Sequence, residues 1–237
     1  MFRISKTYLP IFVKMKIRKN KVVDLSYLQD FSFTELEIDA PGFENIAVIN
    51  GNKKLKTLVV SGEYNKLYLP AFGTDFPGYV TSTMDLGALT NLPALQKLVL
   101  GPGIRNVEFL KNLTSIKELE IEDAKSLIGI EYLTKLKKLT IGECSGLDSL
   151  KPLEHLKLSS LDFFTTRFND ALWLDFIHIV KSSDKVEIYV QKYKNIPKKR
   201  VLAIEEMDGI VDFYFHEDGY WGNSFSFKIE RKKKSKI

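Results

Sequence analysis

Residues 136–156 read LKKLTIGECSGLDSLKPLEHL, and their apolar positions follow neither a heptad nor a strict alternation. Leu136 and Leu139 lead to Ile141 by a two-residue step, as in a strand with one buried face; Leu147, Leu150, Leu153 and Leu156 then recur at every third position. Spacing of three suits a tight 3₁₀-like or extended arc, because an α-helix with one buried stripe mixes steps of three and four. The pattern repeats upstream in Leu95, Leu98 and Leu100, then in Ile116, Leu119 and Ile121, at offsets of 21 and 20 residues. Leu158, Leu161 and Phe163 follow at 22, and Phe33, Leu36 and Ile38 precede Leu55, Leu58 and Val60 by 22. A period of this length holds one short strand and a compact return. Such a unit buries its leucines only by stacking on another copy of itself.

The spacing LxxLxLxxN/CxL, followed by evenly placed leucines, resembles the leucine-rich repeat, and the short period is similar to the bacterial internalin-like type. The resemblance implies an α/β fold: a solenoid with parallel strands on its concave face and short 3₁₀ or extended returns behind them. Cys144 falls on the N/C position, with Gly103 and Ala124 as its counterparts in the two preceding units. The family's asparagine ladder is therefore missing, and backbone groups at the turns need other partners. The pattern is clear over 86–163, fair over 23–60 and obscure over 61–85, where Tyr64, Leu67 and Leu69 remain. Leu58 and Leu98 are 40 residues apart, about two periods, so an irregular repeat is expected between them.

The ends change character. An N-terminal cap is expected over 1–22, repeats over 23–190, a hairpin cap over 191–230 and a basic tail over 231–237. NDALWLDFIHIVKSS reads as a helix capped near Asn169 or Asp170, burying Leu172, Phe176 and Ile179 with Trp173, Ile177 and Val180 beside them. KVEIYV restores strand alternation after it. Val211, Phe213 and Phe215 alternate with Asp212 and Tyr214, and Phe225, Phe227 and Ile229 do the same beyond a glycine-containing loop, which predicts a hairpin over the C-terminal end. NIPKKRVLAIEEM fits helix or strand.

A net charge of +5 conceals an asymmetry, since residues 1–22 hold seven bases and no acid, and Arg231, Lys232, Lys233, Lys234 and Lys236 crowd the other end. Between these segments 23 bases face 30 acids, so the body is acidic. The one cysteine excludes an internal disulfide framework and a thiolate zinc cluster, and suits a reducing compartment. No stretch approaches the roughly 20 apolar residues of a membrane span. MFRISKTYLPIFVKMKIRK places charges and Pro10 where a secretion signal needs an uninterrupted apolar region. A soluble, cytoplasmic monomer is expected.

In a leucine-rich repeat, the strand residues that point away from the core form the concave face. Here these are Glu35 and Glu37, Thr57 and Val59, Lys97 and Val99, Glu118 and Glu120, Lys138 and Thr140, Ser160 and Asp162, and Glu187 and Tyr189. Lys97, Glu118 and Lys138 line up as an alternating column, which serves either recognition or plain cross-strand ion pairing worth about 0.2–1 kcal/mol per pair. Gly101, Glu122, Gly142 and Phe164 stand just beyond the strands. Phe164 either turns inward under the helix or joins Tyr189 and Asp162 in an exposed aromatic and acidic patch suited to a protein partner. Tyr220 and Trp221 lie in the hairpin loop, as interface residues or packed back on the hairpin. The expected partner-binding set is thus Glu35, Glu37, Lys97, Val99, Glu118, Glu120, Glu122, Lys138, Thr140, Asp162, Phe164, Glu187, Tyr189 and Trp221.

Chemistry finds little support. Asp212, His216, Glu217 and Asp218 cluster without a metal-ligand or acid–base spacing, so turn chemistry explains them better. His155 and His178 have no nucleophile or carboxylate motif beside them, and Cys144 sits at a packing position. GPGIRN is interrupted by Pro102 and no GK[ST] follows, so no phosphate loop is present. No cofactor or metal is expected. The expected partner is another protein, basic in character, with this chain acting as a bacterial inhibitor or immunity-type protein; nucleic-acid or anionic-surface binding through the basic ends, RKKKSK above all, is the alternative.

Overall fold

A computed structural model describes residues 11–19, 21–62, 84–142, 144, 146–165, 168–190, 196–216 and 223–231, with the backbone alone described at 11–13. Its strands are β1 (Ile11–Arg18), β2 (Val23–Asp24), β3 (Ser32–Asp39), β4 (Phe43–Glu44), β5 (Thr57–Ser61), β6 (Lys97–Leu100), β7 (Glu118–Glu122), β8 (Lys138–Gly142), β9 (Ser160–Thr165), β10 (Lys185–Val190), β11 (Ile210–His216) and β12 (Ser224–Glu230). The helices are α1 (Asp170–Ser182) and α2 (Lys198–Leu202). Ten strands form one sheet in the order β1-β3-β5-β6-β7-β8-β9-β10-β12-β11, while β2 and β4 pair separately. Neighbours from β1 to β10 are parallel, and β12 and β11 close the sheet antiparallel.

Register brings equivalent leucines together. Leu36, Leu58, Leu98, Leu119, Leu139 and Leu161 form one row of partners, and Ile38, Val60, Leu100, Ile121, Ile141 and Phe163 the next. All of them are buried. The three-residue spacing becomes 3₁₀ turns at Ser26–Asp30, Ile46–Ile49, Glu108–Asn112, Ile130–Tyr132 and Lys151–Leu153. There the i→i−3 bonds eclipse side chains three apart, so Leu110 and Leu113, or Ile130 and Leu133, drop into the core together. This is the leucine-rich-repeat solenoid that the spacing predicts.

Side chains close several of the turns locally. Asp24, Asp85, Asn106, Ser126 and Ser149 each accept the backbone N–H two residues ahead, at 2.7–3.2 Å, and so open five returns with local side-chain turns. The Cys144 thiol is buried and donates to the Gly142 carbonyl at 3.1 Å.

The structure departs from the sequence pattern in three places. β5 and β6 are neighbours in the sheet although 40 residues separate their equivalent leucines: Leu58 pairs directly with Leu98, and Asn50 spans the same gap by donating to the Ala88 carbonyl and accepting from the N–H groups of Thr90 and Asn91, while most of the expected irregular repeat lies outside the described residues. Tyr64, Leu67 and Leu69 themselves lie outside the described residues. Gly103 is not the counterpart of Cys144. Its left-handed φ of 92° absorbs a one-residue insertion, and Ile104, fully buried, takes the inward position. Finally, Val211 does not join Phe213 and Phe215 on the core side. A register shift between Ile210 and Asp212 leaves it 56% exposed.

At the C-terminal end, Asn169 caps α1 by accepting the Leu172 N–H at 3.0 Å. Leu172, Trp173, Phe176, Ile179 and Val180 face inward, and Phe168 meets Phe163, Phe176 and Phe225 edge-on. Asp175 ties the helix to the preceding return by accepting from Ser149 Oγ and the Leu150 N–H. Arg231 donates to the Val180 and Ser183 carbonyls, a cation at the negative end of α1. NIPKKRVLAIEEM contributes the short helix α2.

Candidate recognition face

The parallel register sorts the concave side chains into rows running across the sheet. The first begins with Lys14, Glu35, Thr57, Lys97, Glu118, Lys138 and Ser160. Its central column forms as expected on one side, with Lys138 Nζ 3.0 Å from Glu118 Oε1. Lys97 stands opposite the other flank of Glu118.

At the N-terminal end the charges are already matched. β1 lays Lys14, Lys16 and Arg18 beside Glu35, Glu37 and Asp39. Lys14 Nζ lies 3.7 Å from Glu35 and 3.8 Å from Glu37, Lys16 pairs with Glu37, and Arg18 Nε is 2.9 Å from Asp39 Oδ2. Glu35 and Glu37 therefore meet the chain's own basic N-terminal run.

The C-terminal half differs. The middle row continues through Val99, Glu120, Thr140, Asp162, Glu187, Lys228 and Asp212. The ion pairs among the described residues leave out Glu120, Asp162 and Glu187. Burial pushes the Asp162 carboxyl above its ordinary pKa, Glu187 directly across adds to the rise, and Lys185 opposes it. That row meets another partner's positive charge more readily than the matched end does.

Beside it runs an aromatic row. Phe164 faces Tyr189 across the strands, Tyr189 faces Ser226, and Ser226 faces Tyr214. Phe164 is 39% exposed, Tyr189 46% and Tyr214 54%. Of the two readings of Phe164, the outward one is found. Strand alternation buries Phe163 and Thr165 on either side of it, and Phe168 fills the space under α1 instead. Glu122 sits in line with these residues, opposite Gly142.

Tyr214 is an addition to the residues expected at the site. Its alternation with Phe213 and Phe215 is legible, but nothing in the sequence says that β12 inserts between β10 and β11 and so aligns Tyr214 with Tyr189. Trp221, Tyr220, Glu217 and Asp218 lie outside the described residues. Asp212 and His216 share one face of β11, but Tyr214 stands between them; Asp212 faces Lys228, and His216 faces Ser224 and stacks on Tyr214 at 6.3 Å. Among the described residues, no group of three or more His, Cys, Asp or Glu is arranged to hold a metal, and no helix is long and apolar enough to cross a membrane.

No protein-family model matches the chain. Over 101 residues it is 35% identical to acidic leucine-rich nuclear phosphoprotein 32 family member A from Drosophila pseudoobscura pseudoobscura, and equally to the protein of that name from Drosophila melanogaster. The match covers 40% of this chain and 37% and 38% of those proteins, so the chain spans well under half the length of the curated relatives it matches. These relatives, from flies and named as nuclear, lend support to the leucine-rich repeat and none to the bacterial internalin-like type. What fold and likeness carry jointly is that this chain is a leucine-rich-repeat solenoid.

Proposed function

We propose that the chain recognises a basic protein through the C-terminal half of its concave face and performs no chemistry there. The observation that carries this reading is the row Glu120, Asp162 and Glu187, outside every ion pair among the described residues and flanked by Phe164, Tyr189 and Tyr214. A lysine or arginine laid across these rows meets carboxylates on one side and ring faces on the other, and cation–π attraction adds about 0.5–1 kcal/mol at an exposed site. Hydrogen bonding along a continuous sheet keeps the side chains at fixed spacing, so little ordering entropy opposes binding. Glu35 and Glu37, with Lys14 and Lys16 beside them, contribute less than the sequence suggests. An inhibitor or immunity-type role, neutralising a partner with a basic surface, is the narrower form of the proposal. It fits a nuclear location, as the relatives' names state for them, no less than a cytoplasmic one.

The test is titration of the chain with an arginine- and lysine-rich peptide, an acidic peptide and a single-stranded oligonucleotide, at about 50 and about 200 mM salt. The basic peptide is expected to bind, and Glu187→Lys or Phe164→Ala to weaken it. Preference for the acidic peptide would overturn the reading. Oligonucleotide binding that vanishes when residues 231–237 are removed would favour the basic ends instead.

A further inference from the structure

The sheet has two ends, and they are finished differently. β1 carries Lys14, Lys16 and Arg18, and lysine on an outermost strand is a common guard against pairing with another chain. β11, at the other end, reads IVDFYFH and contains no Lys, Arg or Pro. Its bulge bends the strand near Ile210, whereas Asp212 to His216 run residue for residue against Lys228 to Ser224. Among the described residues no strand lies beyond it.

The two faces of β11 are also unfinished. Toward the core, Phe225 and Phe227 of β12 are 0% and 2% exposed, but Phe213 and Phe215 one strand further out are half-buried. Lys198 lies over the Phe215 ring at 5.2 Å, so α2 shelters part of that rim. On the concave side the order Asp212, Tyr214, His216 is self-complementary about Tyr214. If a second β11 runs antiparallel with Tyr214 opposite Tyr214, each Asp212 meets His216 of the other copy, and each Phe213 meets Phe215.

We propose that two copies of this chain pair antiparallel through β11, centred on Tyr214, and join their ten-stranded sheets into one. The arrangement satisfies the outward backbone groups of both edges, extends the apolar cover over Phe213 and Phe215, and sets a carboxylate opposite an imidazole twice by symmetry. Pairing of β11 with β1 of another copy would instead repeat without closing and would need the lysine-bearing edge. The proposal does not rest on the binding function assigned to the concave face, although Asp212 and Tyr214 belong to both surfaces.

Sedimentation analysis of the full chain over a wide concentration range tests it, together with amide exchange in β11 at the two extremes. A monomer–dimer equilibrium is expected, with β11 amides slower to exchange in the concentrated sample. His216→Asp sets Asp against Asp twice and is expected to raise the dimer dissociation constant about tenfold. The exchanged double variant D212H/H216D restores the complementary pairs and is expected to recover most of that loss, with thermal melts confirming that each variant folds. A chain that stays monomeric to its solubility limit overturns the proposal, and so does a dimer indifferent to His216→Asp. Concentration-independent exchange in β11 of the unmodified chain overturns it without reliance on any variant.

Discussion

Asp162 binds a proton more readily in the folded chain than in the unfolded one, because burial and Glu187 both penalise its charge. Its contribution therefore subtracts from stability as pH rises through the interval between its ordinary and its raised pKa, and stays unfavourable above it. Asp162→Asn is expected to melt higher than the parent at neutral pH, with the difference closing in acid, while binding the basic peptide less well. Melts and titrations at two pH values check both halves. Asp24 behaves with the opposite sign: hydrogen bonds from Asn45 and Ser26 hold it down at about 2. Its contribution is present in full above the ordinary value of 3.8 and lost as pH falls through about 2, so Asp24→Ala is expected to lower the melting temperature at neutral pH by a margin that shrinks as pH falls through that range. Cys144 packs in the core, as its place in the repeat implies, and burial pushes its thiol up to about 12. Alkylating reagents should label it on unfolding and leave the native chain untouched, as mass spectrometry of treated samples would show.

Each return is as local as its sequence, which is why a step of three between leucines suffices to predict a 3₁₀ turn. What surrounds a return is less legible. Gly129 opens the turn Ile130–Tyr132 with φ of 106°, and a Cβ there would lie 2.9 Å from Cα and O of Glu108 in the neighbouring unit. Gly129→Ala combines a left-handed backbone with a backbone clash, and is expected to cost about 1–3 kcal/mol from the strain, with the crowding in addition. Denaturant midpoints measure it. The place of Gly103 is hidden for a related reason. One inserted residue between Leu100 and Val107 can be absorbed before or after the inward position, and the choice is made by stacking, where Ile104, Ala124 and Cys144 share one buried column. Val211 is turned outward by a bulge, which leaves no mark on a pattern of alternation.

For the molecule as a whole, the repeat, its curvature-bearing sheet and the helical cap are readable because each depends on residues close in sequence. The charge balance of the face is not. β1 has no repeat signature, so its place beside β3, and with it the pairing of three cations to Glu35, Glu37 and Asp39, comes from topology. These exposed pairs are worth about 0–1 kcal/mol each. Lys16→Glu should accordingly destabilise the chain modestly, and less at high salt, in melts at two ionic strengths. The direct pairing of Leu58 with Leu98 reaches further. Other parallel neighbours from β3 to β9 need a loop of about one period to close, whereas this joint needs one of 40 residues, and each doubling adds about 0.6 kcal/mol of closure entropy. Stacking can start on either flank and spread by short steps, but the two halves must meet across that longer span. A chain pulled from its ends, or caught early in refolding, would divide there, with β1 to β5 as one piece and β6 onward as the other.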